Sequence, residues 1–233
     1  MSSRGPASAG VNLFDLVIFD FDGTLADSAR GIAACMRAAF ESFGLQPPSP
    51  ASVRSRIGLT LEESIRQLTT DVPAVDVGAV ARRYRQLHVT VAAPAIVAYP
   101  GTSDTLAMLH SAGITLAVVS QKGRAGLVQL LAQLSLETYF DLVLGGDDVV
   151  APKPQAALYE HHVATRFPPI ARDRVLVVGD TATDLQFAAN AGTASCWAEY
   201  GYGDRDRCRA LNPRYTIPDI TAVTSVCGVG AMS

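Results

Sequence analysis

The chain has 233 residues, 48% of them hydrophobic and 18% charged, with a formal net charge of -3. That length can bury a full core, and the composition excludes an intrinsically disordered chain. The slight negative charge argues against nucleic acid as a partner. The longest apolar runs, residues 114–119 and 175–178, fall far short of the roughly 20 residues needed to cross a bilayer, so no membrane partner and a cytoplasmic location are expected. Cys35, Cys196, Cys208 and Cys227 show neither Cys-x-x-Cys nor Cys/His spacing, which speaks against zinc and against a disulfide framework.

In chain order, residues 1–10 are rich in Ser, Gly and Ala and read as a disordered tail without the apolar stretch of a secretory signal. Apolar runs at 16–19, 114–119 and 175–178 end in small or acidic residues and predict buried parallel strands, with weaker strands at 141–144 and 193–197. Helical patterns at 102–112, 124–134, 155–166 and 183–191 lie between them, the first and last followed by Gly113 and Gly192. Alternation of strand and helix predicts an α/β fold with a doubly wound parallel sheet. Residues 30–95 break that rhythm with helical patterns alone. They predict an inserted helical domain, with the sheet domain built from 11–29 and 96–233. Within the insertion, helices are expected at 32–43, 60–68 (with Thr60 and Glu63 as a capping box) and 77–90, and Pro47, Pro48 and Pro50 as a linker.

In an open parallel sheet the ligand crevice lies at the carboxyl ends of the strands. Asp20, Asp22 and Thr24 follow the first strand, Ser120 follows the second, Lys153 stands in the loop after 144, and Asp180 and Asp184 follow 175–178. Carboxylates so crowded repel one another, and a hard divalent cation bound through oxygen relieves the repulsion. Mg²⁺ suits the set because it binds through one or two carboxylates plus a substrate phosphate oxygen. Asp20 and Asp22 project to the same side of an extended backbone, and Gly23 lets the chain turn so that backbone amides approach an anion. The basic residues add a second signal. Of 19 cationic residues only Lys122 and Lys153 are lysines, and both fall in these loops, where a compact ammonium is not replaced by the planar fork of arginine.

The segments VIFDFDGTLADS, AVVSQK, APKP and VGDTATDLQFAANAG resemble, in order and spacing, the four motifs of the haloacid dehalogenase superfamily. The resemblance spans residues 13–223 and is nearest to phosphoglycolate phosphatase-like members with a helical cap. It implies Asp20 as nucleophile and Asp22 as general acid and base, the Asp22 backbone carbonyl also binding Mg²⁺. It further implies Ser120 and Lys153 as phosphoryl-holding groups, Asp180 as a metal ligand and Asp184 as its support. The implied activity is Mg²⁺-dependent hydrolysis of a small phosphorylated metabolite through an aspartyl phosphate. Gln121 stands where many relatives carry Asn, which bears on the positioning of Ser120.

Of four rival readings, three are weaker. A receiver domain carries its acidic pair before the phosphorylated Asp and lacks the Asp20-Phe21-Asp22-Gly23-Thr24 arrangement, and an idle regulatory protein would not keep every reactive position filled. A phosphonate-cleaving relative needs a Schiff-base lysine in the cap, and residues 30–95 contain none. A sugar-phosphate mutase shares the nucleophile and the acid/base pair and stands as the enzymatic alternative. The insertion holds eight arginines and five acids, a balance suited to closure over an anionic substrate. Arg54 and Arg56, just before Gly58, are the two expected to reach the crevice.

Overall fold

A computed structural model describes residues 12–72 and 74–230; the expected tail at 1–10 lies outside them. All four residues of β1 (Leu16–Phe19) are buried, as in a strand covered on both faces. The chain then makes a short β2 (Ala26–Asp27) and four helices, α1 (Ala29–Glu41), α2 (Pro50–Arg54), α3 (Leu61–Leu68) and α4 (Val77–Leu87), before β3 (Val97–Ala98). The alternating part follows as α5 (Thr102–Ser111), β4 (Thr115–Val119), α6 (Arg124–Gln133), β5 (Leu142–Leu144), α7 (Ala156–Leu158), β6 (Val175–Gly179), α8 (Ala182–Ala191) and β7 (Ala194–Ala198). It closes with α9 (Arg205–Ala210), β8 (Tyr215–Ile217) and α10 (Val223–Val226).

Six strands form one sheet in the order β5-β4-β1-β6-β7-β8, every neighbouring pair parallel. This is the doubly wound α/β fold that the strand–helix alternation predicts. Leu16, Ile18, Ala117, Val119, Val175 and Val177 form the core on one side of the sheet with Phe187 and Ala188 of α8. Val17, Phe19, Leu116, Val118, Leu176 and Val178 belong to the larger core that also takes in the helices before β3. Register then brings the site together. Phe19 pairs with Val118 on one side and Val178 on the other, so Asp20, Ser120 and Asp180 leave three adjacent strands within one residue of the same level.

The helices at 29–87 form because their apolar residues recur at helical spacing. In α1 the buried residues Ile32, Cys35, Met36, Ala39 and Phe40 make a single stripe, which packs on α2 and α4. β2 and β3 pair antiparallel, Ala26 with Ala98 and Asp27 with Val97, where the chain leaves and re-enters the sheet region.

Several elements differ from the sequence expectation. Pro50 does not sit in a linker; it occupies the first turn of α2, capped by the Ser49 hydroxyl, which accepts from Ser52 N, since proline lacks only an N–H that the first turn leaves free. Thr60 caps α3 by accepting from Glu63 N, but the Glu63 carboxylate turns to Arg66 and Gln67, so half of the expected capping box forms. The helix expected at 155–166 is α7 followed by a π turn, Tyr159–Val163. Likewise α4 runs into a π turn at His88–Ala92.

Candidate active site

Asp20, Asp22, Ser120, Lys153, Asp180 and Asp184 are all buried at the carboxyl edge of the sheet. Lys153 is the hinge of the group. Its ammonium donates to Asp20 Oδ1 at 2.9 Å and to Asp184 Oδ1 at 2.5 Å, and Gln121 Nε2 donates to the Lys153 carbonyl at 3.0 Å, tying the loop after β4 to the loop that carries the lysine. Asp184 is fixed further by a capping box at the start of α8, where Thr181 N and Thr181 Oγ1 donate to Asp184 Oδ2 at 3.0 and 2.7 Å.

Asp180 is held from two sides. Thr24 Oγ1 donates to its Oδ1 at 3.3 Å and Tyr202 N to its Oδ2 at 2.6 Å. The backbone around it must come close. Gly23 has φ +85°, and a Cβ there would meet Asp180 Oδ2 at 2.3 Å, while one on Gly201 would meet the Asp180 Cβ at 2.2 Å. Glycine at 23 thus both permits the left-handed turn and leaves space for the carboxylate.

One carboxylate oxygen from each of Asp20, Asp180 and Asp184 can be chosen so that all three lie within 4.8 Å of one another. Burial pushes the Asp20 carboxyl up to about 7, with Lys153 opposing and Asp184 adding to the rise. Burial, then Asp184 and Asp20, push Asp180 well above the ordinary carboxylate range. Burial alone would pull the Lys153 ammonium down, but Asp184 and Asp20 overcome it and hold the lysine firmly charged. One ammonium, bonded to two of three crowded carboxylates, leaves negative charge uncompensated, and an all-oxygen set of this kind fits a hard divalent cation.

Above the cluster lies a cavity of about 480 Å³ between the sheet edge and the helices at 29–87. Asp20, Asp22, Ser120, Gln121 and Lys122 face it from the sheet side. Asp22 Oδ2 pairs with Lys122 Nζ at 3.3 Å, and its Oδ1 is buried with no partner among the described residues. Ser120 Oγ accepts from Lys122 N at 3.2 Å.

The sequence-derived residues thus divide. Asp20, Asp22, Ser120, Gln121 and Arg56 line the cavity; Lys153, Asp180, Asp184, Gly23, Thr24 and Arg54 do not. Thr24 serves Asp180, and its carbonyl accepts from Tyr200 OH at 2.7 Å. Arg54 does not reach the crevice as expected. It is exposed, with its guanidinium 5.0 Å from the centre of the Tyr202 ring and Nη2 donating to Gly201 O at 3.4 Å, because α2 ends there and turns that side chain toward the loop after β7.

Two residues escaped the sequence reading, and Lys122, marked there only as one of the two loop lysines, packs against Asp22. Tyr202 also accepts from Ser28 N and Ala29 N and donates to Asp27 Oδ1 at 2.7 Å, joining the β7 loop to the start of α1; the Gly-Tyr-Gly run after a strand was the available signal. His88 faces the cavity from the π turn. Burial pushes its imidazole down to about 4, with Lys122 adding to the fall and Asp22 opposing it, so it is neutral near pH 7 and offers one donor and one acceptor.

A family model described as haloacid dehalogenase-like hydrolase matches residues 17–198. The chain belongs to this family. Among curated relatives, "Probable phosphatase IndB" of Dickeya dadantii is 34% identical over 213 residues, covering 89% of this chain and 91% of that protein. A phosphoglycolate phosphatase of Neisseria meningitidis is 33% identical over 205 residues, covering 84% and 85%. Among solved structures, a haloacid dehalogenase-like hydrolase from Bacteroides fragilis superposes with TM-score 0.83 at 28% identity, covering 90% of this chain and 99% of that one. A structure from Haemophilus somnus, described as a predicted phosphoglycolate phosphatase, reaches TM-score 0.85 at 23% identity, covering 93% and 99%; that likeness bears on the fold.

Proposed function

We propose that this family member is a Mg²⁺-dependent phosphatase of small phosphomonoesters, working through a phosphorylated Asp20, with the helices at 30–95 as a cap domain over the sheet domain. The observation that carries the reading is the convergence of Asp20, Asp180 and Asp184 within 4.8 Å beneath the cavity floor. Relatives named as phosphatases across most of the chain support it.

The chain's residues divide the work. Asp20, held by Lys153, attacks phosphorus, and the bond to the alcohol oxygen breaks. Asp22 supplies the proton to that oxygen through Oδ1, the atom that no described residue engages, and then takes a proton from the water that attacks the aspartyl phosphate, releasing phosphate and restoring Asp20. Lys122 fixes the Asp22 carboxylate in this position. Ser120 and Lys153 hold the phosphoryl oxygens. Asp20, Asp180 and the Asp22 carbonyl would hold Mg²⁺, with Asp184 in support, and the bound ion would neutralise the crowded carboxylates and the phosphoryl oxygens.

The test is phosphate release from p-nitrophenyl phosphate. Activity is expected with Mg²⁺, loss in excess chelator, and recovery on returning Mg²⁺. Full turnover in chelator, or rescue by Zn²⁺ alone, would contradict the all-oxygen site.

A further inference from the structure

The cavity is large for a two-carbon acid. Its volume of about 480 Å³ lies within the ~300–1,000 Å³ of sites that enclose drug-sized ligands. Most of the wall formed by the cap helices is apolar, with Ile32 and Met36 of α1, Val53 of α2, Ile57, and Leu61 and Leu68 of α3, and it also carries Thr60, Ser64 and the Glu62–Arg85 pair. A glycolate-sized alcohol covers little of that wall, whereas a body that brings apolar surface removes it from water. A rigid ring does so at lower entropic cost than a flexible chain.

Two side chains of the cap-side lining carry buried polar atoms without a partner among the described residues. His88 is 5% exposed, and neither ring nitrogen has a partner among the described residues. The ring is wedged between the cap and the core: a Cβ on Gly126 of α6 would lie 3.4 Å from its Cε1, 3.5 Å from Nδ1 and 3.7 Å from Nε2, so the polar edge of the ring faces α6 where Gly126 lines the cavity. A buried imidazole left unpaired is costly, and a π turn such as His88–Ala92 is a feature that recurs at functional sites. Arg56 is the second. Its Nη1 is engaged by Ser52 O at 2.8 Å, while its Nε is buried and unpartnered among the described residues. The other arginine of the lining, Arg85, is matched by Glu62 at 2.6 Å.

Resting on the phosphatase reading above, we propose that the preferred substrate is the phosphomonoester of a ring-bearing alcohol. The ring lies on the Ile32, Met36 and Leu61 wall, and His88 hydrogen-bonds a polar substituent on it. Arg56 Nε takes a second acceptor at the ring's edge. The site thereby selects the alcohol while Asp20 and Asp22 act on the phosphoryl group common to all substrates.

The experiment compares kcat and KM for phosphoglycolate, glycerol phosphate, benzyl phosphate and meta-hydroxybenzyl phosphate, all esters of alkyl alcohols, so that leaving-group chemistry is similar and fit is read. Benzyl phosphate is expected to exceed phosphoglycolate in kcat/KM by about a hundredfold, the scale on which apolar pockets discriminate. His88→Phe keeps a flat ring without hydrogen bonds. It is expected to raise KM for meta-hydroxybenzyl phosphate about tenfold, with a smaller change for benzyl phosphate, and His88→Gln, which retains a donor and an acceptor, should recover most of the loss. Preference for phosphoglycolate or glycerol phosphate would overturn the proposal, as would equal shifts for both benzyl esters in His88→Phe. If that variant fails to fold, the wild-type preference decides alone. Absence of turnover on all four esters and on p-nitrophenyl phosphate would instead remove the phosphatase reading, and this proposal with it.

Discussion

Asp20→Asn is expected to lower kcat for any accepted phosphomonoester by at least about a thousandfold, the order seen when a covalent nucleophile is removed. An amide cannot form the acyl phosphate, yet it occupies the same space at the end of β1 and can still accept from Lys153. The melting temperature should stay close to that of the parent or rise, because the change removes one of three crowded buried carboxylates. Kinetics and a thermal melt on the same preparation check both halves. An active, folded Asn variant would displace Asp20 from the nucleophile's role.

Lys153→Ala is expected to have the second-largest effect, on stability as well as activity. The lysine is 5% exposed and spans Asp20 and Asp184, so its loss leaves buried carboxylates without their cation, which typically costs about 3–5 kcal/mol. Chemical denaturation measures that loss. Lys153→Arg is not expected to restore activity, because a planar guanidinium does not fit the space in which one compact ammonium meets two carboxylates. Among the described residues Lys122 pairs with Asp22 alone, so Lys122→Ala should be the milder change. A larger loss of stability at Lys122 than at Lys153 would contradict this ordering.

The sheet and its loaded edge were legible because burial on both faces writes strands as unbroken apolar runs, and Asp20, Ser120 and Asp180 follow three of those runs. β8 was not legible. It is three residues long, with one of them exposed, and carries no alternation or run by which to find it. β2 and β3 are two residues each and exist through their pairing. α2 was hidden by the prolines before it, since Pro50 reads as a breaker until Ser49 is seen to cap the turn.

At the site, residues that follow the strand runs or carry a motif were visible, and those that reach it from other segments were not. The Thr181 and Asp184 pair is local, whereas Tyr202 reaches Asp180 and Asp27 from the far side of β7. His88 sits in a helical pattern among apolar neighbours, where an ordinary core histidine would read the same. Only the cavity beside it and its two unpartnered nitrogens set it apart. The Arg54 expectation failed for a geometric reason: a single residue, Ser55, separates it from Arg56, and the end of α2 there turns one side chain outward and leaves the other on the cavity.

The most direct test of the central claim is to trap the phosphorylated enzyme. Acid quench during turnover, borohydride reduction and peptide mass spectrometry would convert a phosphorylated aspartate to homoserine and locate it. Homoserine at position 20, present with substrate and Mg²⁺ and absent when either is omitted, is the predicted result. Homoserine at another aspartate, or none while phosphate is released at full rate under conditions that trap a known aspartyl phosphate, would contradict the account.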